Sequence, residues 1–156
     1  MTKKIPLTQG LQATVSARDY PRLTKYRWHA HKDGHAKTFY ALRHYRLPSG
    51  KPARRSMHTE ILGLLQVDHK NGDGLDNRRS NLRPATGSQN MHNQGLRRNN
   101  TSGVKGVTWC PPAAKWMARI SVNYTRVYLG LFAKLEDARE AYSKAAKHYF
   151  GKYSRT

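Results

Sequence analysis

The sequence predicts an α+β protein in which short antiparallel strands outnumber helices. Three observations carry that reading. Within residues 115–122 and 126–131, apolar and polar residues alternate as in half-buried strands. From about Glu136 to Tyr149 the apolar residues recur instead at helical spacing. Residues 5–60 form short apolar pieces separated by turn-forming residues, which reads as a mostly β region.

Taken in order, the apolar pieces of this first region are Ile5–Leu7, Leu11–Val15, Tyr26–His29, Thr38–Leu42 and Ser56–Leu62. Asp33-Gly34 and Pro48-Ser49-Gly50 supply turns of the kind that join hairpin strands, and a short helix is expected near Thr59. Trp28 and the aromatic group Phe39, Tyr40 and Tyr45 are expected in the core. Residues 67–95 then read as strand, loop, strand, helix. Val67 leads the first strand, Asn71-Gly72 and Asp73-Gly74 make a turn, and Leu82 resumes a strand that Pro84 ends. Thr86 precedes Gln89 by three residues, a capping-box spacing that starts a helix and places Asn90 and Asn93 on one face.

Residues 94–103 lack apolar periodicity and acidic side chains, so they read as a basic linker between a domain over 1–93 and another over 104–156. The second domain shows three strand-like runs, Lys105–Trp109, Lys115–Val122 and Arg126–Leu131, followed by one helix. Trp116, Ala118, Ile120 and Val122 share one face of the middle run, and Val127, Leu129 and Leu131 share one face of the third. Ala138, Ala141, Tyr142, Ala145 and Tyr149 form the stripe that packs on them. Glu136 and Asp137 in the first helical turn and Lys147 and His148 near the last suit the helix dipole, and Gly151 can end the helix.

The 156 residues carry 29 Lys/Arg against 9 Asp/Glu, a formal charge of +20. The excess is spread along the chain, with 19 basic against 6 acidic residues in 1–100 and 10 against 3 in 101–156. A polyanion is the partner such a balance fits, nucleic acid first and an anionic membrane surface second. No apolar run approaches the roughly 18 residues that span a bilayer, and the basic start of the chain is not followed by the apolar segment of a signal peptide. Membrane binding is therefore not expected. The single cysteine, Cys110, excludes a disulfide framework and a four-cysteine structural zinc site, and fits a reducing cytoplasm.

Residues 67–93 concentrate the chemistry. Phosphodiester hydrolysis needs a base to activate water and an electrophile for the leaving oxygen. Asp68 offers a carboxylate and Asn90 an amide oxygen, hard donors suited to one Mg²⁺ or Mn²⁺ ion. His69, with an ordinary pKa near 6.5, can accept a proton near neutrality. Asn81 can hold the ring or the facing strand in place. The order Asp68-His69, Asn81, Asn90, with intervals of 12 and 9 residues after His69, resembles the HNH endonucleases and their ββα-metal motif. The match is closest to the phage and intron-borne members with Asp-His and two asparagines. The resemblance implies Asp68 and Asn90 as metal ligands, His69 as general base and Asn81 as the asparagine that fixes the base-bearing loop. The last position, commonly histidine in the family, is asparagine here, a weaker ligand for softer metals.

Residues 102–154 resemble an APETALA2/ethylene-response-factor domain through Ser-Gly-Val-Lys-Gly-Val-Thr-Trp, Lys-Trp-Met-Ala-Arg-Ile, Arg-Val-Tyr-Leu-Gly-Leu-Phe and Glu-Asp-Ala-Arg-Glu-Ala-Tyr. That resemblance implies a three-stranded antiparallel sheet laid in the major groove and backed by the helix. Lys105, Thr108, Trp109, Lys115, Arg119, Ser121, Arg126 and Tyr128 would then face DNA. Arg78, Arg79, Arg83, Arg97 and Arg98 are expected to clamp phosphates. Together these readings describe a metal-dependent endonuclease of phage or mobile-element type, targeted by its C-terminal module. It would act on double-stranded DNA in the cytoplasm of a phage-infected or prophage-bearing bacterium, with the oligomeric state left open and a monomer favoured. The alternative is a non-catalytic DNA-binding regulator on the same scaffold.

Overall fold

A computed structural model describes residues 1–32, 34, 38–97 and 99–154. The chain divides into two compact units, Met1–Asn90 and Met91–Thr156. Asp33 of the expected first turn, and Arg98, lie outside the described residues.

In the first unit β1 (Thr2–Pro6) and β2 (Gln12–Ser16) form an antiparallel hairpin. A four-residue helix, α1 (Tyr20–Leu23), leads to a meander of β3 (His29–His31), β4 (Tyr40–Arg46) and β5 (Pro52–Ser56). Helix α2 (Met57–Leu62) follows at once, near the position expected for a short helix. Next come β6 (Val67–His69), β7 (Asp76–Asn77) and β8 (Leu82–Pro84), and then α3 (Gly87–Asn93). Strands β6 and β8 pair antiparallel, whereas β7 joins β2 in parallel through Thr14–Asp76 and Val15–Asn77.

The core gathers Ile5, Ala13, Val15, Leu23, Trp28, Ala41, Met57, Ile61, Val67 and Leu82, drawn from β1, β2, α1, β4, α2, β6 and β8 and from the segment before β3. The Trp28 indole N–H reaches the Leu23 carbonyl at 2.8 Å, which satisfies its one polar atom. Phe39, Tyr40 and Tyr45 differ from expectation, because they are only half-buried. Tyr45 and Tyr26 flank the Arg43 guanidinium, which lies 4.0 Å from the Tyr26 ring centroid. The planar Arg43 cation thus helps to order Tyr26 and Tyr45, while Phe39 lies under Lys32 and Tyr40 against the rings of His58 and His69.

In the second unit β9 (Val107–Cys110), β10 (Lys115–Val122) and β11 (Thr125–Phe132) make one antiparallel sheet in the order β11-β10-β9, with α4 (Leu135–Phe150) against it. Val107, Ala118, Ile120, Ala138, Tyr142 and Ala146 form its centre. A bulge at Ala118/Arg119 shifts the register with β11. The extra residue reverses the alternation beyond it, so Phe132 packs on the core and Leu131 lies opposite Met117. Leu131 therefore leaves the apolar face on which strict alternation placed it. The helical stripe likewise runs through Leu135, Ala138, Tyr142, Ala145, Ala146 and Phe150, while Tyr149 is exposed.

Gly106 shows why this unit tolerates no side chain at one point. Its φ of +69° is left-handed, and an added Cβ would collide with the Tyr142 ring and the Arg119 carbonyl. Gln94, at the start of the stretch read as a basic linker, and His92 before it are tied to this unit. The Lys105 ammonium donates to the carbonyls of His92 and Gln94 at 2.7 and 2.8 Å, and the His92 ring stacks on Phe150 at 3.6 Å.

Candidate functional site

The site is built on the β6–β8 hairpin, whose register sets Asp68 opposite Arg83 and His69 opposite Leu82. Both Asp68 and His69 are buried. Between the two strands the loop is held by its own amides. The Asn81 side-chain N–H groups donate to Asn71 Oδ1 at 2.9 Å and to the Asp76 carbonyl at 2.8 Å, and its oxygen accepts the Asn71 backbone N–H at 3.1 Å. Asn71 in turn donates to Asp76, and Asp73 caps the Leu75 N–H. Asn81 thus spans the loop that follows His69 and touches several of its members at once.

His69 is positioned from its other side. Its Nε2 lies 3.3 Å from Asn77 Oδ1, and the Asn77 Nδ2 donates to the Gly74 carbonyl at 3.2 Å. With the amide oriented by Gly74, its oxygen must accept, so His69 carries hydrogen on Nε2 and Nδ1 is the proton-accepting nitrogen. Burial pushes the His69 pKa below the ordinary value; the Asn77 bond and the nearby carboxylates of Asp68, Asp73 and Asp76 oppose that without cancelling it. The ring is therefore neutral near pH 7, as a base must be. Gly74 is indispensable here, because an added Cβ would strike the Phe39 carbonyl and come within 2.6 Å of the Tyr40 ring.

Two further rings meet His69. The His58 centroid lies 4.9 Å away, edge to face, and that of Tyr40 lies 5.9 Å away. Burial, and then the neighbouring His69, lower the His58 pKa to about 3. Sequence reading passed over His58 and Asn77 as site residues. Nothing in the interval between His58 and His69 links them; only the turn of α2 onto β6 brings them together.

Asn90 sits in α3, whose start shows the reciprocal capping box: Thr86 N–H to Gln89 Oε1 at 2.9 Å and Gln89 N–H to Thr86 Oγ1 at 3.2 Å. Asn90 is exposed and lines a cleft of about 230 Å³ with His58, Val67, Ala85 and Thr86. Asp68 is differently placed. Its Oδ2 takes the Arg83 guanidinium at 2.8 and 2.6 Å. Among the described residues no three His, Cys, Asp or Glu side chains converge as a metal cage.

Three arginines expected on phosphates have internal partners. Arg83 is buried on Asp68, Arg79 is bidentate on Asp19 at 2.8 Å through both contacts, and Arg78 is bidentate on Asp76 at 2.7 and 2.6 Å. The physical reason is the one that makes arginine suit phosphates: its planar fork fits a carboxylate equally well. Asp76 is a buried strand residue held by this pair. Arg78 holds its carboxyl below the usual range, first through the hydrogen bond and against the opposing effect of burial. Arg97 is exposed.

In the second unit Thr108, Lys115, Arg119, Ser121, Arg126 and Tyr128 are exposed on the sheet face opposite α4, in cross-strand register. Trp109 is also exposed, but on the other face. It lies on the same face as buried Val107 and packs edge to face on Trp116 at 5.0 Å, because alternate strand residues share a face. Lys105 precedes the strand and is occupied by the two carbonyls described above.

Residues 46–92 match the family model of the HNH endonucleases, a span that holds His58, the β6–β8 hairpin, Asn81 and Asn90. No curated protein and no solved structure gives a significant match. This segment, which lies in the first unit except for its last two residues, is thus similar to the HNH endonucleases.

Proposed function

We propose that the protein is a divalent-metal-dependent endonuclease that hydrolyses phosphodiester bonds in double-stranded DNA. The observation that carries the reading is His69, buried and held in one tautomer by Asn77 within the HNH-matching segment. In this mechanism His69 Nδ1 takes the proton of the attacking water, and the low pKa keeps it unprotonated at neutral pH. Asn77 keeps the ring from rotating, and Asn81 keeps the following loop from carrying the base away from the phosphate.

Asp68 and Asn90 would hold the ion. Their hard oxygens fit Mg²⁺ or Mn²⁺, which commonly retain waters and complete their coordination with substrate phosphate rather than with a full protein cage. Such an ion supplies charge stabilisation of the departing oxygen. Arg83 occupies the Asp68 carboxylate with a positive charge of its own, so ion binding must compete with it.

DNA is gripped by both units in this reading. The six residues Thr108, Lys115, Arg119, Ser121, Arg126 and Tyr128 form a basic, hydrogen-bonding sheet face of the kind that reads a major groove. Arg97 is exposed for phosphate contact, and Arg78 keeps 43% of its side chain exposed despite its ion pair. Magnesium-dependent nicking of a supercoiled plasmid tests the activity. His69→Ala is expected to lose at least about 10²-fold in rate, within the range general-base removal gives. A variant as fast as the parent, purified identically, rejects the assignment.

A further inference from the structure

We propose that His58 is a second substrate-contacting imidazole of this centre, donating its Nε2–H to a phosphate oxygen of the DNA strand seated in the cleft. The proposal rests on the nuclease reading for its substrate and on the following geometry for its residue.

Helix α2 is anchored firmly. Met57 and Ile61 on its inner side are buried in the core, and Glu60 receives Arg43 at 3.0 Å. Gly63 ends the helix in a left-handed cap at φ +69°. His58, on the adjoining side, is thereby fixed between the His69 ring and the cleft that Asn90 also lines. Its Nδ1 is buried and has no hydrogen-bond partner among the described residues.

That orphan nitrogen decides the tautomer. Hydrogen on Nδ1 would bury an unpaired N–H, so the ring keeps its hydrogen on Nε2 and presents Nδ1 only as a lone pair. With Nδ1 withdrawn, Nε2 is the polar atom left to serve the cleft. Burial keeps the ring neutral, so it acts as a donor and not as a cation. An apolar ring would pack against His69 without leaving any nitrogen unpaired. A histidine at this place is accounted for by what its other nitrogen binds.

The test uses the full chain and two variants. His58→Phe keeps a ring against His69 and removes the donor; His58→Gln restores an N–H near the Nε2 position. Plasmid nicking in Mg²⁺ is expected to lose about 10²-fold in kcat for His58→Phe, as removal of one donor to a reacting oxyanion does. Its KM and thermal midpoint should stay near the parent's, and His58→Gln should recover part of the rate. In parallel, ¹⁵N-imidazole spectra of the parent protein are recorded with a saturating DNA duplex in metal-free buffer, where the His58 Nε2 resonance is expected to move. A His58→Phe enzyme that nicks at the parental rate overturns the proposal, as does a His58 Nε2 resonance indifferent to duplex. If the parent never cleaves while that resonance moves, the contact stands and the nuclease reading falls. Should His58→Phe fail to fold, His58→Gln and the spectra decide.

Discussion

At the residue scale the centre is a set of polar groups whose partners fix their chemical state. Asp68 and Arg83 neutralise one another in a buried place, so removing one side leaves the other charged and unmatched. Arg83→Ala is expected to destabilise the metal-free protein by about 3–5 kcal/mol. Millimolar Mg²⁺ should raise its thermal midpoint more than the parent's, because the ion can replace the lost cation. Equal shifts for both proteins would argue against Asp68 as a ligand. The two histidines give a pH signature of their own. Both have folded pKa values below the unfolded value near 6.5, with His58 at about 3. The unfolded chain thus binds more protons below pH 6.5. Their stabilising contribution is complete above that pH and declines as pH falls toward the folded values, by up to roughly 1.4 kcal/mol per pH unit for each ring. Urea midpoints at pH 7.5, 6 and 5 measure this; a flat profile contradicts it.

At the scale of elements, the cost of small changes depends on what the backbone must pass. Gly106 needs both a left-handed φ and a missing Cβ. Gly106→Ala is therefore expected to destabilise the C-terminal unit by about 2–4 kcal/mol, combining conformational strain and overpacking. Loss of near-ultraviolet signal from Trp109 and Trp116 would report it. The same scale shows what the chain disclosed in advance. The capping box of α3, the β6–β8 hairpin and the alternation in β10 are local patterns, and each was readable from neighbours in sequence. Strand β5, Pro-Ala-Arg-Arg-Ser, carries no alternation and exists through its pairing with β4. Strand β7 is two residues long and pairs with a strand about sixty positions earlier. His58 joined the centre in the same non-local way. The bulge leaves Leu129 of β11 as the extra residue, a single-residue event that period counting cannot register, and it exchanges the faces expected for Leu131 and Phe132.

At the scale of the whole molecule, the proposed function gives catalysis and DNA reading to the two separate units of the chain. A truncation after Asn93 keeps the capped helix with Asn90 and removes the basic sheet. It is expected to nick DNA weakly and without site preference, whereas the full chain should give discrete products on an end-labelled fragment. Discrete cleavage by the truncated chain would place target recognition in the first unit.

The paired carboxylates have a consequence for how such a protein would travel. Asp19, Glu60, Asp68 and Asp76 each face one or more arginines inside the first unit. These four carboxylates are engaged by arginines of their own unit, while Lys and Arg outnumber Asp and Glu by 29 to 9 along the chain. A duplex would then meet attraction that varies little along its length. Movement from one phosphate register to the next exchanges equivalent contacts, which is the condition for sliding and hopping along DNA. The target would be reached by one-dimensional search, with the sheet face testing sequence as it passes.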